Sequence, residues 1–68
     1  MRLLLNGSPA ELADGALLPD LLALHGHTTS ARGVAVALNG AVVPRTEWPS
    51  QPLAEGDVVE LLVAVQGG

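Results

Sequence analysis

Val58-Val59-Glu60-Leu61-Leu62-Val63-Ala64-Val65-Gln66-Gly67-Gly68 closes the chain. Its first eight residues read as a strand, with Val59, Leu61, Val63 and Val65 on one face and Val58, Glu60, Leu62 and Ala64 on the other. The two glycines then set a terminal carboxylate on a thin stalk, with no side chains to block entry into a narrow site. At average glycine usage such an ending arises by chance in roughly 0.5% of chains, and in about 1–2% at a glycine content like this one. It is therefore rare enough to need a reading. One reading makes the C-terminus itself the reactive group. The other makes it a frayed end, as termini commonly are.

Working back from that strand, Glu55-Gly56-Asp57 is a tight turn leading into it. Gly33 to Asn39 is a second strand, with Val34, Val36 and Leu38 pointing one way and Ala35 and Ala37 the other. Asn39-Gly40 signals a two-residue hairpin, Ala41-Val42-Val43 returns, and Pro44 halts the return. Thr46 to Ser50 reads as a polar crossover with one turn of helix. At the start, Arg2 to Asn6 is a short strand, Asn6-Gly7 repeats the hairpin signal, and Pro9 to Ala13 comes back to a turn at Asp14-Gly15.

Leu17 to Leu24 is the one helix the pattern supports. Leu17, Leu21 and Leu24 fall at i, i+4 and i+7, with Leu18 and Leu22 beside them. Pro19 suits the first turn, and Gly26 is placed to end the helix in a left-handed cap. Thr28 to Arg32 is a polar connection. The result is an α+β layout, a mixed four- to five-stranded sheet with one main helix on one face. The faces bearing Leu3/Leu5, Val34/Val36/Leu38 and Val59/Leu61/Val63 carry the bulk and should meet the helix. The opposite face then offers Leu4, Ala35, Ala37, Leu62 and Ala64 to water, a mildly apolar patch of the kind that marks a partner surface.

Composition narrows the function. Sixty-eight residues make one small domain, which buries only about 60% of its unfolded surface. There is no cysteine, so neither a disulfide nor a thiolate metal site contributes. Hydrophobic residues are 49% of the chain but aromatics only 1%, so Leu, Val and Ala must do the packing around Trp48. The net charge of −4, with three arginines and no lysine, argues against nucleic acid and against an acidic membrane surface. It permits docking to a basic patch on a protein. The missing lysine admits two readings. One is GC-biased coding. The other is protection of an activated C-terminus from acylating sister molecules. No apolar run approaches the ~20 residues of a membrane span. The start turns polar at Asn6-Gly7-Ser8, so no signal peptide is expected and the expected location is the cytoplasm.

Taken together, Leu4-Leu5-Asn6-Gly7, Leu21-Leu22, Ala37-Leu38-Asn39-Gly40, Val43-Pro44-Arg45, Trp48, Leu53-Ala54-Glu55-Gly56-Asp57, Val59 and Gly67-Gly68 resemble, in order and spacing, the small sulfur carriers of thiamin thiazole synthesis, the ThiS family. The resemblance runs the length of the chain. It implies a β-grasp, ubiquitin-like domain over 1–65 and a flexible tail over 66–68. Molybdopterin synthase small subunits share that fold and ending. They tend to be longer, and many have a proline-rich approach to the tail, where this chain has Leu62-Val63-Ala64-Val65-Gln66.

The resemblance further implies that an E1-like adenylyltransferase (ThiF-like) uses ATP to adenylate Gly68. A persulfide sulfur donor then converts Gly68 to a thiocarboxylate, and a thiazole synthase (ThiG-like) takes up the sulfur. No cofactor is expected on the chain itself. Gln66-Gly67-Gly68, fully extended, reaches roughly 10 Å, at about 3.3 Å per residue, as the tail for the partner's channel. The chain would be a cosubstrate rather than an enzyme, and it has no evident triad. Carriers for molybdopterin, cysteine or tRNA thiolation remain alternatives, as does a passive β-grasp interaction domain.

Other candidates read as structural. His25 and His27, near the helix end, lack a third metal ligand and are expected in solvent. Glu55 and Asp57 flank a turn glycine and are not expected to act as a catalytic pair. Arg45 is read as solvated or paired with an acid, and Trp48 as a packed loop anchor with its N–H bonded locally or to water, or as a partner contact.

Overall fold

The computed structural model describes residues 1–26 and 32–64. Both Asn-Gly pairs form hairpins. Asn6 (φ 49°) with Gly7 (φ 82°), and Asn39 (φ 50°) with Gly40 (φ 87°), take positive φ at both central positions, the type I′ geometry that matches strand twist. The first joins β1 (Arg2–Leu5) to β2 (Ser8–Glu11), with Leu5 opposite Ser8 and Arg2 opposite Glu11. The second joins β3 (Val34–Leu38) to β4 (Ala41–Val42), with Leu38 opposite Ala41 and Ala37 opposite Val42.

The closing strand, β5 (Val58–Val63), inserts between the two hairpins. It runs parallel to β1, with Leu4 beside Val58 and Leu5 beside Val59, and antiparallel to β3, with Val34 opposite Val63 and Leu38 opposite Val59. The sheet is mixed and five-stranded, in the order β2-β1-β5-β3-β4. With one helix laid across it, this is the β-grasp, ubiquitin-like fold.

That helix, α1 (Leu18–Leu24), has Pro19 in its first turn. The Asp20 carboxylate accepts the Leu17 N–H at 2.8 Å, the acidic half of a capping box; Leu17 has no side-chain oxygen to reciprocate. Gly26, at φ 75°, ends it as expected. The buried stripe is Leu18, Leu21 and Leu22. Leu24 corrects the sequence reading, since it is 61% exposed. At about 100° per residue, Leu24 stands to one side of the stripe of Leu18, Leu21 and Leu22. Val63 departs from expectation in the same way. It lies on the helix-facing side of β5 but is 54% exposed: Val34 opposite it is buried, whereas β1 pairs with β5 only at Val58 and Val59 and leaves the other side of Val63 without a strand neighbour.

Leu3, Leu5, Val34, Val36 and Val59 from the sheet meet the helix leucines in one cluster, completed by Val43, Trp48 and Leu53. Trp48 sits in a 3-10 helix, Arg45–Ser50, and is 1% exposed. Its indole N–H donates to the Val43 carbonyl at 2.9 Å, so its polar atom is satisfied where it is buried. The Arg45 guanidinium lies over the ring, 4.5 Å from its centroid, and donates to the Val34 carbonyl at 3.1 Å. Arg45 is thus a structural strap between the 3-10 helix and β3; it stays exposed, as the solvated reading expects, and adds the ring and carbonyl contacts that reading lacked. After the 3-10 helix the chain is pinned to the helix entrance: Leu18 N–H donates to the Gln51 carbonyl at 2.8 Å, and Leu53 N–H to the Ala16 carbonyl at 3.2 Å.

Because the single aromatic residue fills the middle of an otherwise aliphatic core, Trp48→Ala should cost about 3–5 kcal/mol. Trp48→Phe keeps most of the volume but leaves the Val43 carbonyl unpaired, and should cost about 1–3 kcal/mol. Urea unfolding followed by far-UV circular dichroism reads both. Equal midpoints for Trp48→Phe and the unaltered chain would remove the hydrogen bond from the account.

Candidate functional site

Val65, Gln66, Gly67 and Gly68 lie outside the described residues, so the site is described by its root and by the surface beside it. The root is β5. Its even-numbered backbone groups point toward β3. Asn39 N–H donates to the Val58 carbonyl at 2.7 Å, Val58 N–H donates to Asn39 Oδ1 at 2.9 Å, and Ala64 N–H donates to the Gly33 carbonyl at 2.6 Å. Asn39 Nδ2 also donates to Asp57 Oδ1 at 3.1 Å.

Odd-numbered groups of β5 point toward β1. Asn6 N–H donates to the Val59 carbonyl at 2.9 Å. One step further on, β1 has already turned away, and the Asn6 side chain takes its place. Asn6 Oδ1 accepts Leu61 N–H at 2.8 Å, and Asn6 Nδ2 donates to the Leu61 carbonyl at 3.1 Å. The primary amide acts as one extra peptide unit of β1. The strand that leads to the tail is therefore gripped on both edges by the asparagines of the two hairpins. Sequence reading found both residues as turn formers. Their reach to β5 needs the strand order, which local pattern does not contain.

Among the described residues no element covers the face of the sheet away from the helix, the bare face. Leu4 is 40% exposed and Leu62 62%; Ala35 and Ala64 are exposed, and Ala37 is half-buried. Register brings four of these five together, because Ala35 lies opposite Leu62, Ala37 opposite Glu60, and Leu4 beside Val58. Ala64 follows directly after the strand. Two more residues enlarge the patch: Val42, 76% exposed, which the sequence reading missed, and Val58, 40% exposed, which it placed on this face without counting it in the patch. Val42 could have been found, since a two-residue Asn39-Gly40 loop puts it opposite Ala37 and on the same face. The patch is bordered at β1 and β2 by an exposed ion pair, Arg2 with Glu11, at 3.0 Å.

The remaining candidates have structural positions. Asp57 Oδ2 accepts the Ala54 N–H at 2.8 Å, closing the Glu55-Gly56-Asp57 turn, and Glu55 Oε1 accepts the Arg2 N–H at 2.9 Å. The two carboxylates hold backbone and do not converge on a common point. His25 is exposed, and His27 lies outside the described residues. Among the described residues no group of three or more His, Cys, Asp or Glu is arranged to hold a metal ion, and no helix is long and apolar enough to cross a membrane.

If the Asn6 amide holds the β1 side of β5, Asn6→Gly keeps the turn while deleting two hydrogen bonds, and should cost about 1–2 kcal/mol. Asn6→Ala adds the strain of a positive φ, about 1 kcal/mol more. In both, amide exchange at Leu61 should accelerate more than at Val36. An unchanged Leu61 protection factor in Asn6→Gly would rule the clamp out.

Comparison with known proteins agrees with this geometry. The family model described as "ThiS family" matches residues 3–68. The sulfur carrier protein ThiS of Thermus thermophilus is 42% identical over 64 residues, which are 94% of this chain and 95% of that protein. The crystal structure of the thiamine biosynthesis protein ThiS from Geobacter metallireducens superposes with a TM-score of 0.79 at 33% identity, over all of both chains. A solution structure of a thiamine biosynthesis protein from the same organism gives 0.78 at 33% identity, over all of this chain and 88% of that one. With its fold, its sequence from Leu3 to Gly68 and its solved neighbours in agreement, this chain belongs to the ThiS family.

Proposed function

We propose that this chain carries sulfur, as a thiocarboxylate on Gly68, to the thiazole-forming step of thiamin biosynthesis. The observation that carries the reading is the family match, which continues through the closing Gly67-Gly68. The 42% identical relative is itself a sulfur carrier.

The chemistry follows from the weakness of a carboxylate as an electrophile. An E1-like adenylyltransferase brings the Gly68 carboxylate oxygen onto the α-phosphorus of ATP. Pyrophosphate leaves, and a mixed anhydride forms. The terminal sulfur of a persulfide donor attacks the acyl carbon and expels AMP. A thiol then cleaves the resulting acyl disulfide, leaving the thiocarboxylate. That sulfur is a stronger nucleophile than the oxygen it replaced, and a thiazole synthase consumes it. The chain supplies no general base or nucleophile to these steps. Its part is presentation: a rooted strand, a stalk of Gln66, Gly67 and Gly68 that fits a narrow channel, and the face of Leu4, Ala35, Ala37, Leu62 and Ala64 to dock on the partner. The use of ATP makes the cytoplasm the setting.

Incubation with ATP, a ThiF-like adenylyltransferase and a persulfide donor should exchange one oxygen for sulfur on Gly68, read by intact mass and fragmentation. An unchanged mass favours a passive interaction domain. Transfer of the label to a molybdopterin precursor in place of a thiazole synthase would move the chain to a different pathway. Gly68→Ala keeps the carboxylate but crowds the reacting carbon, and should slow adenylation by at least about tenfold, as misplacement at a reacting centre does. Equal rates would count against the narrow channel.

A further inference from the structure

Glu60 lies in the middle of the bare face. On β5 it stands between Val58 and Leu62, and across the sheet it lies opposite Ala37, which in turn lies opposite Val42. It is exposed, and the ion pairs among the described residues, Met1 with Asp14 and Arg2 with Glu11, do not involve it. Arg2, the cation on this face, is already taken by Glu11.

A carboxylate in such a setting constrains what can cover it. An apolar surface pressed onto the face would strip water from Glu60 and return nothing, which is costly. A second copy of the chain, related by a two-fold axis through this patch, would bring two Glu60 carboxylates toward each other. A protein whose apolar platform carries a basic side chain opposite Glu60 gains both the burial of Leu4, Val42, Val58 and Leu62 and a charge-assisted hydrogen bond. Arginine, with its planar fork, fits a carboxylate best. The net charge of −4 favours approach to a basic surface.

The geometry points to Glu60 as the residue that selects the partner on this face: the adenylating enzyme docks with an apolar surface bearing a basic side chain that pairs with Glu60. The identity of that partner rests on the sulfur-carrier reading. Glu60 thereby acts in both directions, strengthening the correct complex and penalising wholly apolar or acidic ones. It touches no reacting atom, so it governs docking and leaves the chemical step alone.

The test measures ATP-dependent pyrophosphate release by the ThiF-like adenylyltransferase of the same organism, as a function of carrier concentration. Glu60→Lys should raise KM on the order of 100-fold and Glu60→Gln about tenfold, with kcat at saturation held within about threefold. Raising salt from about 50 to about 300 mM should raise KM more for the unaltered chain than for Glu60→Gln, because screening acts on the pair as well as on the net charge that both share. Glu47→Lys, an equal charge change on the 3-10 helix, should stay within about threefold of the unaltered chain. Circular dichroism melts show that each variant is folded. Release by the unaltered chain together with the same KM for Glu60→Lys and Glu47→Lys overturns the inference and leaves the carrier reading standing. No release by the unaltered chain overturns the carrier reading, and this assignment with it.

Discussion

The last strand is held in the middle of the sheet, and the rest of the structure depends on that placement. β5 lies between β1 and β3, so the hairpins β1-β2 and β3-β4 have no direct pairing with each other. Each is joined to the sheet through β5 alone. The strand also delivers Val59 to the core and, one residue over on each side, Val58 and Glu60 to the bare face. A chain that had not yet reached Val63 would have two separate hairpins, each marginal alone. Fold completion and presentation of the tail are consequently the same event. The tail leaves from the most constrained strand of the sheet, and its root moves only if the sheet moves.

The asparagines reinforce this arrangement from both sides. A type I′ turn accepts Asn or Asp at its first central position, and glycine too. The primary amide adds something those alternatives lack. It offers a donor and an acceptor on one rigid plane, the same pair that a peptide unit offers. Asn6 uses both on Leu61, and Asn39 divides them between Val58 and Asp57. The grip is short-range and needs no buried charge, which suits a chain of this size with little core to support one. On the helix side Trp48 plays the matching part, filling volume that aliphatic residues on a seven-residue helix do not reach.

Much of this was legible in the sequence because local chemistry decided it. Asn-Gly fixed both hairpins, Pro19 and Gly26 bounded the helix, and alternation on Val34–Leu38 and Val58–Val63 assigned the faces correctly. Errors arose where neighbouring elements mattered more than pattern. Leu24 keeps the helical period of Leu17 and Leu21, but the sheet and the crossover bury the neighbouring stripe of Leu18, Leu21 and Leu22, and Leu24 faces solvent. Val63 keeps the strand alternation but lies beyond the stretch of β5 that pairs with β1. Arg45 gave no local sign of stacking, since its partners Trp48 and Val34 are brought together only by the crossover. At the candidate site, the bare face was readable as a set of alternating positions, whereas the addition of Val42 required hairpin register and the amide clamps required the strand order.

The bare face follows from economy of length. A seven-residue helix is roughly 10 Å long at 1.5 Å per residue, while five strands at about 4.8 Å spacing span roughly 19 Å. One helix, one 3-10 turn and a tryptophan cover one side, and among the described residues no element covers the other. A domain this small is marginal by itself, so any partner that covers the second face also stabilises the folded state, by mass action. Docking and folding are then linked: the complex favours the same sheet that roots the tail. An ordinary core would seal that linkage inside the molecule. Here half of it is left on the surface, with Glu60 at its centre setting the terms on which another protein completes it.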